Sequence, residues 1–166
     1  MATITLKGTP FHTLGNLPEI GSKAVSFSLR KTDLSNLTLE ELQGSRVILN
    51  IFPSIDTGTC ANSVRTFNKK AADLENTKVI CISKDLPFAH ARFCAAEGIE
   101  NVHTVSDISG AFSENYKITI TDGPLEGLTS RVVIVLDENG IVRHTEQVSE
   151  IVDEPDYEAA LNALSA

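Results

Sequence analysis

The sequence predicts an α/β fold with a central mixed β-sheet flanked by helices. Two nearly continuous apolar runs, 47–52 and 79–83, have the length of strands that are buried on both faces. Between them, apolar residues recur at steps of three and four, which is the spacing of one helix face. A third apolar run at 131–136 is followed by a turn at 137–140 and by 141–148, which indicates an antiparallel hairpin. Parallel and antiparallel strands together predict a mixed sheet.

The N-terminal segment predicts a small β-hairpin that precedes this sheet. Apolar and polar residues alternate over 2–6, and this pattern is typical of a strand. Gly8 and Pro10 then interrupt the alternation before a second short apolar run at 11–14. The two runs are therefore expected to pair with each other.

Two short elements and a long helix lead from the hairpin to the second buried strand. Residues 25–29 predict a strand, and 37–42, ended by Gly44, favour one or two helical turns. The helix after the first buried strand has one apolar face, formed by Cys60, Val64, Phe67, Ala71 and Leu74. Strand 79–83 follows this helix at once, so strand, helix and strand predict a right-handed parallel unit.

The remaining elements complete the fold. Proline at the first position and Gly98 after the last predict a helix over 87–97, with Cys94 in its last turn. The other elements, in chain order, are a strand at 102–105, a short helix at 109–116, an irregular loop at 121–127 and a final helix from Pro155 to the end. Among common α/β folds, a thioredoxin-like arrangement matches this order best, and we expect a single domain over 1–166.

Composition and charge exclude several classes of function. The 166 residues include 42% apolar and 22% charged residues, which is typical of a globular domain. With 14 Lys and Arg against 22 Asp and Glu, the net charge of −8 argues against nucleic acid and anionic lipid as partners. No apolar run has the length of a membrane helix, and the N-terminus lacks a signal core, so we expect a cytoplasmic protein. Three cysteines, an odd number, indicate reduced thiols or one redox-active pair.

Cys60 is the first candidate for chemistry, because it lies in the first turn of its predicted helix. Free backbone N–H groups and the helix dipole favour an anion there, and a thiolate is such an anion. The dipole supplies only about 0.3–1 kcal/mol, so a reactive thiolate needs a further donor or a cation. Thr57, three residues earlier, can supply a hydroxyl. The periodicity alone equally allows Cys60 to be a small core residue in register with Val64.

The residues around Cys60 resemble a known motif. The string Pro-Ser-Ile-Asp-Thr-Gly-Thr-Cys at 53–60 is similar to the Pro-x-x-x-Thr-x-x-Cys motif of peroxiredoxins. The longer string at 50–60 resembles the thiol peroxidase branch of that family, with further matches at 92–98, 122–125 and 154–161. The resemblance covers essentially the whole chain.

Position by position, the resemblance implies a role for five residues. Cys60 would be the peroxidatic nucleophile and Cys94 the resolving cysteine. Thr57 would orient peroxide and thiolate, Pro53 would shield the pocket, and Arg131 would place a cation beside the sulfur. Arg131 heads an otherwise apolar strand, so its alternative role is that of an exposed residue at the start of a strand.

The resemblance further implies a thiol-dependent peroxidase of the atypical two-cysteine type. Its substrates would be hydrogen peroxide and alkyl or lipid hydroperoxides, and its thiolate would become a sulfenic acid. The disulfide would form within one chain, between Cys60 and Cys94, because no cysteine follows Cys94. Thioredoxin would be the reductant, the protein would be a homodimer packed near the Cys60 helix, and no cofactor would be needed.

The other cysteine and histidine patterns indicate structural roles. Cys81 lies between Ile80 and Ile82 in a buried strand, and we expect it to be a core residue. His90 and Cys94 have the i, i+4 spacing of metal ligands, but no second ligand pair accompanies them, so we expect no metal site. The candidates for the apolar side of a substrate pocket are Phe52, Ile55 and Phe88.

Two other functions remain open from the sequence. A non-enzymatic redox sensor would use the same disulfide to reshape a surface that binds a partner. A cysteine hydrolase would pair Cys60 with a histidine base, although no histidine lies close to Cys60 in the sequence. Sustained consumption of peroxide with a recycling thiol donor distinguishes the three functions.

Overall fold

The computed structural model describes residues 1–165, which form two β-sheets, four α-helices and a 3-10 turn. The strands are β1 (Thr3–Leu6), β2 (Thr9–His12), β3 (Ser28–Lys31), β4 (Asn36–Thr38), β5 (Arg46–Ile51), β6 (Thr77–Ser83), β7 (His103–Ser106), β8 (Val132–Leu136) and β9 (Val142–Gln147). The helices are α1 (Gly58–Ala71), α2 (Pro87–Glu97), α3 (Ala111–Asn115) and α4 (Tyr157–Ala163), and the 3-10 turn is Glu40–Leu42.

The larger sheet has seven strands, in the spatial order β4, β3, β7, β6, β5, β8 and β9. β5 runs parallel to β6, and β6 runs parallel to β7, whereas the other pairs are antiparallel. The sheet is therefore mixed, and β5, α1 and β6 form the predicted parallel unit. The predicted N-terminal hairpin is confirmed as a separate two-stranded sheet of β1 and β2.

Both faces of the large sheet are covered, which explains its continuous apolar strands. Ile48 and Phe52 belong to an apolar cluster with residues of α1, α2 and α4. Leu49 and Ile51 belong to the cluster on the opposite face, together with Phe112 of α3. Neighbouring residues of β5 thus point into different clusters, as the alternation of side chains along a strand requires.

The helix α2 begins and ends where the sequence predicts. Pro87 occupies its first position, and Gly98 ends it with a φ of 65°, a conformation that glycine adopts at little cost. Its buried residues are Pro87, His90 and Phe93, so few side chains hold α2 against the sheet. The helix α1 has a larger buried set, namely Cys60, Ala61, Ser63, Val64 and Phe67.

Two short elements differ from the predictions. The strand predicted at 25–29 is found at Ser28–Lys31, where it pairs with both β4 and β7. The helical turns predicted at 37–42 are confirmed only over Glu40–Leu42, as a 3-10 turn, because Leu37 lies in β4 and pairs with Leu29 across the antiparallel ladder. Pairing with a distant strand outweighs the local helical pattern here.

The final helix is shorter than predicted. The Asp156 carboxylate accepts a hydrogen bond from the Ala159 N–H and caps the helix, which runs over Tyr157–Ala163. The predicted end of this helix includes Ala166, which lies outside the described residues. Across residues 1–165, every helix is too short or too polar to cross a membrane.

Cys81 lies in β6 and is fully buried, as expected of a core residue. Burial raises the pKa of its thiol from 9.0 to about 12, because removal from water disfavours the charged thiolate. Asn50 donates a hydrogen bond to the Cys81 sulfur at 3.7 Å and opposes this shift only partly. Cys81 is therefore a neutral thiol throughout the physiological pH range.

The raised pKa of Cys81 predicts a loss of stability in alkaline solution. Above about pH 9 the unfolded chain releases this proton while the folded chain retains it up to about pH 12, so folding is progressively disfavoured. Replacing Cys81→Ala should remove about 1.4 kcal/mol per pH unit from the alkaline fall in unfolding free energy. Urea unfolding of both proteins at several alkaline pH values measures the difference, and parallel curves would contradict the prediction.

Candidate active site

Cys60 is the third residue of α1, and its side chain is fully buried. The helix begins after Thr57, whose backbone is extended and whose carbonyl accepts a hydrogen bond from the Ala61 N–H at 2.9 Å. The first turn of α1 contains no acidic residue, so no nearby side chain on the helix cancels the positive end of its dipole. The local chain geometry thus places the Cys60 sulfur where an anion is favoured.

Arg131 lies immediately before β8, and its guanidinium reaches the Cys60 sulfur. Its Nη2 donates a hydrogen bond to Cys60 Sγ at 3.3 Å, and its Nε donates to the Ile151 carbonyl at 2.9 Å. The third nitrogen, Nη1, is buried and has no hydrogen-bond partner within residues 1–165. Arg131 is only 2% exposed, which excludes the alternative role of an exposed residue at the strand start.

The buried guanidinium also determines the electrostatics of the site. Among residues 1–165, no carboxylate forms an ion pair with Arg131. A buried charge without a counterion is costly, so the environment of Arg131 favours a negative partner. The Cys60 sulfur contacts Arg131 and is the group that can become this negative partner, because a thiol can lose its proton.

A cavity of about 310 Å³ lies next to this pair. Pro53, Thr57 and Arg131 line one part of it. Gly58 and Thr59 at the start of α1 also line it, and the remaining lining residues are aliphatic, namely Leu6, Leu125, Leu128, Ile151 and Val152. Because Arg131 both lines the cavity and contacts the sulfur, the cavity ends one side chain away from Cys60.

The apolar lining differs from the residues that the sequence suggested. Phe52 and Ile55 are buried in the core under α1, and Phe88 is 65% exposed on α2. None of the three lines the cavity beside Arg131. Sequence patterns could not identify the actual lining, because its residues come from segments that are far apart in the chain.

The N-terminal hairpin contributes directly to this cavity through Leu6. Two backbone hydrogen bonds hold β1 against the segment after β9: the Thr5 N–H donates to the Ser149 carbonyl at 2.8 Å, and the Ile151 N–H donates to the Thr5 carbonyl at 2.9 Å. Ile151 also accepts the hydrogen bond from Arg131 Nε. The hairpin is thereby connected to the guanidinium through one residue.

The loop before α1 carries the two other predicted site residues. Pro53 is buried, and Thr57 is exposed at its end. The Thr57 hydroxyl donates to the Ser54 carbonyl at 3.0 Å, so its proton points at the loop backbone and its oxygen is left to accept a hydrogen bond. The structure therefore brings Cys60, Arg131, Thr57 and Pro53 to one place.

Asp85 holds this loop, and sequence analysis did not identify it. One carboxylate oxygen accepts from the Ser54 hydroxyl at 2.8 Å, and the other accepts from the Ile55 N–H at 2.7 Å. Asp85 follows β6 and the loop follows β5, so both lie where neighbouring parallel strands end at the same sheet edge. That placement is the only signal by which the sequence could have connected them.

Cys94 lies on α2 with a half-buried side chain and does not line the cavity beside Arg131. Its sulfur is 3.1 Å from the Thr104 hydroxyl on β7 and forms a hydrogen bond with it. Cys60, Cys81 and Cys94 are all free thiols. The structure thus represents the dithiol state, in which Cys60 contacts Arg131 and Cys94 contacts Thr104.

His90 and Cys94, the pair with the spacing of metal ligands, contact different residues. The His90 ring bonds the Ser83 hydroxyl through Nε2 at 3.0 Å, while Cys94 bonds Thr104. Among the described residues, no group of three or more His, Cys, Asp and Glu side chains is arranged to hold a metal ion.

The chain is similar to known proteins over most of its length. A sequence model of the Redoxin family matches residues 19–161. The protein named thiol peroxidase from Corynebacterium glutamicum is 53% identical over 99% of this chain and all of its own length. The protein of the same name from Mycobacterium tuberculosis is 51% identical over the full length of both chains.

Solved structures confirm the thioredoxin-like fold. A peroxiredoxin-like protein from Aquifex aeolicus superposes with a TM-score of 0.92 at 32% identity, covering 96% of this chain and 94% of its own. A thiol peroxidase from Chromobacterium violaceum superposes with a TM-score of 0.89 over 96% of this chain and 94% of its own. At 23% identity, the second comparison supports the fold alone.

The contact between Arg131 and Cys60 predicts the reactivity of the Cys60 thiol. The variant Arg131→Met should react with iodoacetamide at Cys60 about tenfold to a hundredfold more slowly, because a hydrogen bond to a charged group contributes about 1.5–3 kcal/mol. Peptide mass spectrometry after timed alkylation distinguishes Cys60 from the other two cysteines. The matched control is Arg143→Met, which removes a surface ion pair with Asp137 and should leave the alkylation rate of Cys60 unchanged. An identical rate in a folded Arg131→Met protein would remove Arg131 from the site.

Proposed function

The chain belongs to the Redoxin family, and on that premise we propose that it is a thiol peroxidase that reduces hydroperoxides with its own cysteine thiols. The observation that carries the proposal is the contact between the buried guanidinium of Arg131 and the sulfur of Cys60. A cation and a helix N-terminus both favour the thiolate, which is the nucleophile needed to attack a peroxide. The resemblance of residues 50–60 to peroxiredoxins agrees with the family match, which covers them.

In the first step, the Cys60 thiolate attacks the terminal oxygen of the hydroperoxide. A sulfur–oxygen bond forms while the oxygen–oxygen bond breaks, and the electron pair leaves with the second oxygen. That oxygen takes a proton from solvent and departs as water or as an alcohol. Cys60 is oxidised by two electrons to a sulfenic acid, and the peroxide is reduced.

The surrounding groups stabilise the charge that moves onto oxygen in this step. Arg131 has one N–H group on the sulfur and a second nitrogen, Nη1, without a partner among the described residues. This nitrogen is available to donate to a peroxide oxygen. The Thr57 oxygen is free to accept the hydrogen of the peroxide, since its own proton is donated to Ser54. Fixed donors of this kind stabilise the transition state more than the ground state.

In the second step, Cys94 acts as the resolving cysteine. Its thiolate attacks the sulfenic sulfur, a disulfide forms with Cys60, and hydroxide leaves and is protonated to water. Cys94 lies on α2 in contact with Thr104, so it must leave this position to reach Cys60. The small buried surface of α2 favours unwinding of this helix over unwinding of α1.

A dithiol protein then returns the enzyme to its starting state. Its thiolate attacks the disulfide, a mixed disulfide forms, and its second thiol completes the exchange. We assign this role to thioredoxin, as the resemblance to thiol peroxidases implies. The same resemblance favours a homodimer that packs near α1.

The shape and lining of the cavity favour organic hydroperoxides beside hydrogen peroxide. Arg131 and Thr57 provide polar contacts at one end, and the remaining lining is mostly aliphatic. A hydroperoxide with an alkyl or lipid tail can bury that tail against Leu125, Leu128 and Ile151 while its peroxide group faces Arg131. Burial of the tail lowers the concentration at which such substrates bind.

The two rival functions lack comparable support. The sulfur of Cys60 has Arg131 as its hydrogen-bond partner, and no histidine bonds it within residues 1–165, so a hydrolase would lack its base. A redox sensor would be oxidised once and would not consume peroxide repeatedly. Steady-state consumption of peroxide with thioredoxin, its reductase and NADPH therefore tests the proposal, and its absence would overturn it.

Replacement of each cysteine predicts a distinct pattern in this assay. Cys60→Ser should abolish turnover, because an unactivated hydroxyl cannot replace the thiolate. Cys94→Ser should consume about one equivalent of peroxide and then stop with thioredoxin as the reductant. Cys81→Ser is the matched control and should keep most of the activity if the protein remains folded. Substantial turnover by the Cys60 variant would contradict the assignment.

Oxidation should change the local stability of the helices unequally. We expect faster hydrogen exchange in α2 around Cys94 after disulfide formation, because only three side chains of this helix are buried. The part of α1 beyond its first turn should stay protected, since Val64 and Phe67 remain in the core. Exchange measured by mass spectrometry on reduced and oxidised protein makes the comparison. Equal protection of α2 in both states would contradict the prediction.

A further inference from the structure

The loop before Cys60 and the helix that carries Cys94 are joined by buried and half-buried hydrogen bonds. Asp85 binds the loop through the Ser54 hydroxyl and the Ile55 N–H, at 2.8 Å and 2.7 Å. The same carboxylate accepts a hydrogen bond from the Ser83 hydroxyl at 2.5 Å. Ser83 in turn bonds the His90 ring of α2 at 3.0 Å.

The direction of these hydrogen bonds follows from the number of protons that the Ser83 hydroxyl can donate. Ser83 has one hydroxyl proton, and the carboxylate of Asp85 takes it, so the Ser83 oxygen must accept from His90. His90 therefore carries its proton on Nε2, and Nδ1 is left buried without a partner among residues 1–165. Burial lowers the pKa of His90, which keeps the ring neutral in this role. His90 thus donates to Ser83 and Ser83 donates to Asp85, while the loop donates to the same carboxylate from the other side.

His90 is also one of the few anchors of α2. The helix buries only Pro87, His90 and Phe93, and of these only His90 has a polar side chain. Cys94 follows His90 by four residues, so both project from the same face of the helix. If α2 unwinds to release Cys94 and the unwinding extends past the last turn, the bond between His90 and Ser83 must break.

We propose that His90 and Ser83 are positioning residues that hold α2 on the loop and thereby limit the rate at which Cys94 reaches oxidised Cys60. This inference rests on the proposed peroxidase function. It states which residues control the rate of the second step, the formation of the disulfide. Asp85 is the shared anchor, since it binds the loop directly and α2 through Ser83. An exposed link of α2 to the same loop, between Arg92 and Asp56, is solvated and contributes little by comparison.

The rate of this step decides the fate of the sulfenic acid. While Cys94 is held away, a second hydroperoxide can transfer an oxygen to Cys60, forming a sulfinic acid and releasing an alcohol or water. Disulfide formation removes the sulfenic acid and prevents this reaction. A tighter hold on α2 thus makes the enzyme more sensitive to inactivation by excess peroxide.

Two variants break the connection from opposite sides. Ser83→Ala removes the bridging hydroxyl, which also accepts a hydrogen bond from the Asp85 N–H at 3.2 Å, whereas the two loop groups that donate to Asp85 are unaltered. His90→Leu replaces the N–H donor by an apolar side chain that can remain buried. His90→Gln is the conservative variant, because its amide N–H can still donate to Ser83.

The matched control is Ser106→Ala. Ser106 pairs with Ser83 in the ladder between β6 and β7, and both side chains are buried. The Ser106 hydroxyl has no hydrogen-bond partner within the described part of the chain. Its removal tests the loss of a buried serine hydroxyl at the same sheet edge without breaking the connection to α2.

The experiment follows the two chemical steps separately. Reduced protein is mixed with hydrogen peroxide, quenched with acid, alkylated and analysed by mass spectrometry for thiol, sulfenic acid, disulfide and sulfinic acid. This readout suits a protein with no tryptophan. Ser83→Ala and His90→Leu should form the disulfide about three- to tenfold faster, the range expected when one hydrogen bond is lost. Both should accumulate less sulfinic acid at high peroxide, while oxidation of Cys60 stays unchanged.

Each outcome decides the inference. Disulfide formation at the original rate in His90→Gln and Ser106→Ala, with acceleration in the other two variants, supports it. The double variant should be no faster than either single variant, because both break one connection. Unchanged or slower disulfide formation in folded Ser83→Ala and His90→Leu would overturn it. Failure of the proposed function is distinguishable, because the unaltered protein would then form no disulfide with peroxide or, as a redox sensor, would form it once without sustained consumption of peroxide in the thioredoxin assay.

Discussion

The active site depends on one buried charge, the guanidinium of Arg131. Its burial is stabilised by the Ile151 carbonyl and by the sulfur of Cys60, and no carboxylate pairs with it among the described residues. A protein that places a cation in this position needs an anion beside it, and the thiol at the start of α1 can supply one. The alignment of β8 beside β5 brings the two residues together, since α1 begins shortly after β5 ends.

The sheet edge that carries this pair also carries the polar groups that hold it in place. Asp85, Ser83 and the loop around Ser54 all lie at the carboxyl ends of β5 and β6. Parallel strands bring such ends together, which is why binding and catalytic groups collect there in open α/β sheets. An apolar cluster on each face of the sheet keeps these strand ends at fixed positions.

Local signals made part of this structure predictable from sequence. Pro87 and Gly98 fix the ends of α2 through backbone conformation alone, and both ends agree with the prediction. Cys60 stands out because residue type and position at the start of a helix coincide.

Other features could not be predicted from local signals. The shift of β3 depends on pairing with β4 and β7, and the lining of the cavity depends on side chains such as Leu6 and Leu128. These features arise from contacts between distant segments, which a pattern within one segment cannot encode. The contact between Arg131 and Cys60 spans 71 positions and was suggested by resemblance alone.

The N-terminal hairpin contributes to the candidate site although it lies outside the region that matches the Redoxin family. The match to the Redoxin family begins at residue 19, after both strands of the hairpin. Yet Leu6 forms part of the cavity wall, and Thr5 holds the segment whose Ile151 carbonyl receives Arg131. Shortening the chain to the matched region would open one wall of the cavity to solvent and loosen the support of the guanidinium. An affinity tag joined at Met1 places its linker only five residues from Leu6, so a fusion at this end adds bulk beside the cavity wall.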